Sequence, residues 1–262
     1  MINAIKKLDM SVLITLSVIL AGCSSEPITY EEKSYAIDAD KVTQISLSDK
    51  GRTVEVIEST DNKIHIKYFE SDKEFYEVNV TDENELVMKL VTDKDWTDYV
   101  GLDTDKAHRI VQIAVPSGIS SGVNILTSKG NVVLSDVNIG GSVEATTSDG
   151  LIEMTNVTVN KDLKLATKND DIVLSKVSAV GTIFAAISNG DIKVTEVAVD
   201  DALKLTTKNG HITGTIIGSY DAFSISSSAS KGENNLPENK SSGDKTLNVS
   251  TNNGDINLEF VD

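Results

Sequence analysis

The chain has 262 residues, with 24 Lys or Arg against 40 Asp or Glu, for a formal net charge of −16. That balance argues against nucleic acid as a partner, because a phosphate backbone is held by clustered Lys and Arg. The single cysteine excludes a disulfide framework and a cysteine-based zinc site.

The N-terminus reads as an address. Lys6 and Lys7 precede an apolar run from Ser11 to Leu20, and Leu20-Ala21-Gly22-Cys23 follows. The run is too short to cross a bilayer as a helix and has the length of a signal-peptide core. Charge, apolar run, small residues and cysteine in this order resemble the bacterial lipoprotein signal with its lipobox. The resemblance implies that residues 1–22 are removed and that the Cys23 thiol carries a lipid. Cys23 is then an anchor and neither a redox nor a metal residue. Two or three acyl chains give stable anchoring where one is marginal. The membrane becomes a partner through the lipid, since an acidic body is repelled by an anionic surface. The expected location is the outer face of the cell membrane, or the outer membrane in a Gram-negative cell. Residues 23–34 are polar and read as a linker.

Residues 35–120 carry strand patterns with irregular spacing: Ile45/Leu47, Val54/Val56, Ile64/Ile66/Tyr68, Tyr76/Val78/Val80, Leu86/Met88/Leu90 and Ile110 to Val115 all alternate. This region is expected to be an irregular N-terminal cap on the repeats that follow, with a separate antiparallel sheet as the alternative. Within it, Asp93, Asp95, Asp98, Asp103 and Asp105 surround Trp96 and Tyr99. Trp96, Tyr99, Asp95 and Asp98 are the candidate binding residues, for a glycan or a cation. The plainer reading is an acidic loop whose Trp96 covers the core.

From Val123 the sequence repeats every twenty residues, with units beginning at Val123, Val143, Leu163, Ile183, Leu203 and Phe223. Turns fall in step at Lys129-Gly130, Asp149-Gly150, Asn169-Asp170, Asn189-Gly190 and Asn209-Gly210. Glycine there is expected to supply a positive φ. Alternation puts 123 and 125 and their equivalents inward, then Val132 and Leu134 and theirs. A phase change near 135–136 implies a corner, after which Val137, Val157, Val177, Val197 and Ile217 point inward. Asn-Gly is also a hairpin signal, so a stack of hairpins is the rival. The fixed period favours one strand–turn–strand–corner unit per rung, stacked so that each apolar row is buried by its neighbours. The expected fold is therefore all-β, a β-solenoid (single-stranded β-helix) spanning 121–262. Six rungs at about 4.8 Å give a stack roughly 29 Å long. Few aromatics suit so thin a core.

Thr207 to Ile212 (TKNGHI), Ser188 to Val194 (SNGDIKV) and Thr251 to Leu258 (TNNGDINL) resemble the repeats of the bacterial DUF4097 β-strand-repeat proteins, a family labelled as candidate adhesins. Lys94 to Val100 (KDWTDYV) is similar to a stretch in Gram-positive members. The resemblance implies a solenoid on the cell surface and no established activity.

Residues 228–246 (SASKGENNLPENKSSGDKT) interrupt the pattern and read as a loop insertion bulging from the stack. The rung from Leu247 to Phe260 is expected to end the stack, with Glu259 and Asp262 discouraging edge pairing. Turn aspartates Asp149, Asp171, Asp191 and Asp255 suggest a calcium ladder, but Leu151 and His211 interrupt the row and the spacing does not fit a calcium-binding β-roll. The column Thr127, Thr147, Thr167, Thr207 and Thr251 falls inward beside the turns, where hydroxyls can serve backbone groups. No cofactor, metal site or catalytic set is expected. The reading is a lipid-anchored, non-catalytic scaffold or adhesin-like protein with an envelope protein or glycan as partner. The alternative is a glycan-binding or glycan-acting protein using the Trp96 patch.

Overall fold

A computed structural model describes residues 28–94 and 107–262. The strands follow the sequence alternation. First come β1 (Glu31–Asp38), β2 (Gln44–Ser48), β3 (Thr53–Glu58), β4 (Lys63–Glu70), β5 (Glu74–Val80), β6 (Glu85–Thr92) and β7 (Ile110–Val115). The repeats supply β8 (Gly122–Leu126), β9 (Val132–Ile139), β10 (Val143–Thr146), β11 (Ile152–Val159), β12 (Leu163–Asn169) and β13 (Ile172–Ala179). They continue with β14 (Thr182–Asn189), β15 (Ile192–Val199), β16 (Ala202–Asn209) and β17 (Ile212–Ile217). The chain ends with β18 (Phe223–Ala229), β19 (Asn239–Lys240), β20 (Lys245–Asn253) and β21 (Ile256–Val261).

These strands form a β-solenoid of two sheets. A ten-stranded sheet runs β1-β4-β7-β3-β9-β11-β13-β15-β17-β21. An eleven-stranded sheet runs β19-β18-β20-β16-β14-β12-β10-β8-β2-β6-β5. Strands on either side of an Asn-Gly turn, such as β14 and β15, lie in different sheets, so the hairpin rival falls away. Within the repeats from β8 to β17, strands pair in parallel with their equivalents twenty residues away: Ile152 sits opposite Val132 and Ile172, and Leu203 opposite Ile183. The apolar rows thereby become ladders of buried Val, Ile, Leu and Ala between the sheets. Each fully buried Leu or Ile contributes about 1.5–3 kcal/mol relative to exposure.

The corner is made by one residue per rung. Asp136, Asn156, Lys176 and Glu196 adopt φ between 50° and 54°, the left-handed region. That extra residue separates inward positions by three instead of two, so Leu134 and Val137 both face the core. The fifth rung has lost it. The register shifts between Val194 and Val197, and Ile216 pairs with Val197. Ile216 is therefore buried and Ile217 exposed, which corrects the inward position expected for Ile217.

The chain doubles back at both ends. At the start, β2 and β3 are flanked in parallel by β8 and β9 on one side and by β6 and β7 on the other. Beyond these, β4 runs antiparallel to β7, β5 antiparallel to β6, and β1 antiparallel to β4. Parallel rungs and an antiparallel closure thus share the N-terminal region.

At the far end β20 inserts between β16 and β18, because Leu247 matches Leu203 and Ile225 at once. The Phe223 strand is therefore the outermost parallel strand of its sheet. Of the rung from Leu247 to Phe260, β20 is interior in that sheet, while β21 ends the ten-stranded sheet as expected. Residues 230–244 do not bulge away; they fold over the end of the stack. Leu236 is buried there, β19 pairs with β18, and Asn234 bridges to Ile256. The Lys240 ammonium fastens this closure through the carbonyls of Phe223 at 2.7 Å and Ser242 at 2.9 Å. The core's aromatics gather at the ends, with Tyr68 edge-on to Tyr76 at one and Phe223 against Phe260 at the other, and the buried rows between them are aliphatic, Phe184 lying outside the core.

Candidate functional site

Cys23 lies outside the described residues, as do Trp96, Tyr99, Asp95 and Asp98. The described residues adjoining that second segment, Lys94 and His108, both contact Tyr30. Around them, among the described residues, charged and aromatic side chains gather at the N-terminal end.

The group is built from the turn after β2. Asp49 Oδ1 accepts the backbone N–H of Gly51 at 2.7 Å and of Arg52 at 2.6 Å, an arrangement that aspartate favours because its short side chain reaches its own turn. Its other oxygen accepts the Tyr76 hydroxyl. The turn delivers Arg52 inward, where Nη2 donates to Glu74 Oε2 at 3.0 Å. The guanidinium carbon is 5.0 Å from the Tyr76 ring centre and 5.9 Å from that of Tyr30. Glu74 Oε2 also accepts Lys94 Nζ at 2.8 Å and the Tyr30 hydroxyl at 2.8 Å. Lys94 Nζ reaches the Tyr30 oxygen at 2.6 Å. Tyr30 stacks on His108 with ring centres 3.9 Å apart and planes within 5°.

Two acids and two bases thus neutralise one another out of water, which is what makes burying them tolerable. Burial pulls the Glu74 carboxyl up, but hydrogen bonds from Lys94 and Tyr30 and the Arg52 charge outweigh it and hold it below its ordinary value. Burial, then the Asp49 charge, raises the Tyr76 phenol well above its usual range despite Arg52. Glu74 is thereby fixed ionised and Tyr76 fixed protonated around neutrality. Neither suits proton transfer there, which needs a group poised near the working pH. One guanidinium nitrogen, Arg52 Nη1, is buried and among the described residues has no hydrogen-bond partner. The arrangement works as a latch that ties Tyr30 to the first rungs.

The turn edge carries two further ladders. Asn169 Nδ2 donates to Asp149 Oδ1 at 2.7 Å, Asn189 to Asn169 at 2.8 Å and Asn209 to Asn189 at 2.7 Å. In the neighbouring column Asp171 Oδ1 accepts the Asp191 N–H and Asp191 Oδ1 accepts the His211 N–H, both at 2.8 Å. The turn carboxylates therefore serve the next rung's backbone. Lys193 Nζ sits 2.7 Å from Asp171 and 3.6 Å from Asp191, which supplies the counter-charge from within the chain. Among the described residues no group of three or more His, Cys, Asp or Glu is placed to hold a metal ion.

The threonine column is inward and used for the turns. Thr147 Oγ1 donates to the Gly130 carbonyl at 3.2 Å, Thr207 to Gly190 at 3.0 Å and Thr251 to Gly210 at 2.9 Å. Glycine at the turns serves stacking as much as conformation. Gly130 has no positive φ, yet a Cβ there would lie 1.8 Å from the Arg52 carbonyl oxygen.

The sequence reading missed the latch. Its one local signal is Arg52, one of two arginines in a strongly acidic chain, set directly after a turn that resembles the later repeats.

A family profile described as Toastrack DUF4097 matches residues 42–259. Among solved structures, a Bacteroides fragilis protein described as a candidate adhesin is 15% identical. It covers 88% of this chain and 97% of its own, with a TM-score of 0.42. A Clostridium sporogenes protein described as a candidate cell adhesion protein is 13% identical, covering 89% and 100%, with a TM-score of 0.35. No match is found among curated proteins.

Proposed function

Because the chain belongs to the Toastrack DUF4097 family, we propose that it is a non-catalytic, lipid-anchored surface protein whose stacked rungs form a rigid platform for an adhesin-like or envelope contact. The observation that carries the reading is the latch. Tyr30 follows closely on the Cys23 lipobox in sequence and is held by Glu74, Lys94 and His108 at the N-terminal end of the stack. A lipid on Cys23 would then tether the solenoid by one end and leave its sheet faces and turn edges clear of the bilayer. The stack suits a platform because its ladders are mutually buried and its ends are closed, so it holds its shape without a ligand. An envelope protein or a glycan is the partner class.

Cell fractionation tests the anchor. The wild-type chain is expected in the membrane fraction, incorporating labelled fatty acid, and Cys23→Ala is expected to lose the label and leave that fraction. A Cys23→Ala chain that remains fully membrane-bound overturns the reading.

The second reading, glycan binding through Trp96, Tyr99, Asp95 and Asp98, is favoured by the contacts of Lys94 and His108, on either side of that segment, with one tyrosine. A glycan array probed with wild type and Trp96→Ala separates the two readings. Signal lost on substitution supports the patch, and no signal from either chain removes it.

A further inference from the structure

Three Asn-Gly pairs occupy equivalent turns in this chain: Asn189-Gly190, Asn209-Gly210 and Asn253-Gly254. Asn-Gly is the dipeptide in which a backbone nitrogen most easily reaches the preceding side-chain amide, because glycine places no Cβ in the way. The stack treats the three pairs differently. The Gly190 N–H donates to the Asn209 carbonyl and the Gly210 N–H to the Asn253 carbonyl, both at 2.9 Å. The side-chain oxygens of Asn189 and Asn209 each accept the amide of the next asparagine in the ladder. In both inner pairs the nucleophile is thus engaged and the electrophilic amide is held by the rung above.

The ladder stops at Asn253. Its Nδ2 donates back to Asn209, but among the described residues nothing donates to its Oδ1, and the Gly254 N–H has no hydrogen-bond acceptor. The reason is in the register. Ala229 sits opposite Thr251, so Lys231 occupies the ladder position above Asn253 and brings no carboxamide. Lys231, Gly232 and Glu233 carry the turn column one step further, with Gly232 stacked on Gly254 and the Glu233 N–H taken by Asp255 Oδ1, so the backbone continues while the carboxamide ladder does not. Asn253 itself is exposed.

We propose that Asn253-Gly254 is a site of spontaneous deamidation and isoaspartate formation, and that the asparagine ladder shields Asn189 and Asn209 from the same reaction. The Gly254 nitrogen gives its proton to a solvent base and bonds to Asn253 Cγ. The Cγ–Nδ2 bond breaks, and ammonia leaves with a proton from solvent. Water then opens the five-membered imide at either carbonyl, giving aspartate or isoaspartate. One water is consumed and one ammonia released. The product has a carboxylate facing Asn209 Oδ1 where an N–H had donated, so the modification also weakens the junction between the rungs of β16 and β20.

The test is peptide mapping by mass spectrometry of the full chain held at mildly alkaline pH, folded and in urea. In urea the three pairs are expected to deamidate at comparable rates. In the folded chain the peptide with Asn253 is expected to gain the deamidation mass and an isoaspartyl signal on the order of tenfold or more ahead of Asn189 and Asn209, since each of those must first give up two hydrogen bonds. Equal folded-state rates at the three sites, or a faster Asn189 or Asn209, overturns the proposal. So does a folded chain silent at Asn253 while the unfolded chain reacts.

Discussion

The side-chain amide of Asn235 stands in for a strand against Leu258. Its Oδ1 accepts the Leu258 N–H at 3.1 Å and its Nδ2 donates to the Leu258 carbonyl at 2.9 Å. With the Asn235 N–H on the Ile256 carbonyl and the Ile256 N–H on the Glu233 carbonyl, residues 233–235 close the edge of β21. An open edge of a parallel sheet is a template for another chain. The role expected of Glu259 and Asp262 is thus filled, as far as Leu258, by one asparagine and two backbone groups.

Asn235→Ala removes both contacts to Leu258 and is expected to cost about 1–2 kcal/mol. Denaturant unfolding measures the loss, and light scattering after mild heating should show the variant associating sooner than wild type. Unchanged stability and unchanged association would show that the edge is protected by something else.

Gly210→Ala is expected to be far more severe. Gly210 has φ 158°, and a Cβ there would lie 1.9 Å from the Gly190 carbonyl oxygen. The rungs at this turn must separate, at a cost of about 4 kcal/mol or more. A thermal melt is the check. Gly51→Ala, where nothing lies within 4 Å of the new atom, is the mild control.

Thr207→Val keeps the shape of a buried side chain and deletes the hydroxyl that serves the Gly190 carbonyl. Leaving that acceptor unpaired is expected to cost about 1–2 kcal/mol by chemical denaturation. The column already contains Ile187, where no hydroxyl is supplied, so a single gap is survivable and the variant should fold.

The latch sets the pH behaviour of the N-terminal end. Glu74 is held below its ordinary value, so its stabilisation is present above the unfolded carboxylate range near 4 and is lost as pH falls through the lowered folded value. The tyrosines act in the opposite sense. Burial raises Tyr68 to about 12 and pushes Tyr76 higher, so their stabilisation is complete below about pH 10 and declines above it as the unfolded chain ionises first. Arg52→Met removes one partner of a buried pair and is expected to cost about 3 kcal/mol while reducing the acid resistance. Stability curves against pH for the two chains check both signs, with tyrosinate absorbance following the alkaline limb.

The repeat was legible because each rung repeats the same local choices. The apolar columns, the turns and the inward threonines all follow from parity within a fixed period. Parity also explains the error at Ile217: stepping by twenty assumes a constant rung, and the fifth rung lacks the left-handed residue that Glu196 supplies in the fourth. The order of the end rungs was hidden for another reason. Nothing local in Leu247 or Phe223 says which will lie outermost, since both fit the same column. The latch joins Tyr30 to Lys94 across 64 residues, a contact with no period and so no pattern to read. The asparagine ladder was in plain view, yet asparagine before glycine reads first as a turn, and its hydrogen bonding becomes visible only once rungs are stacked.

The central claim is a solenoid tethered by one end, and the mass of the N-terminal peptide from membrane-extracted protein tests it most directly. The account predicts a chain lacking residues 1–22 that begins at Cys23 and carries a diacylglyceryl thioether. A chain with an unmodified Cys23 thiol, or one whose N-terminus lies elsewhere, would contradict it.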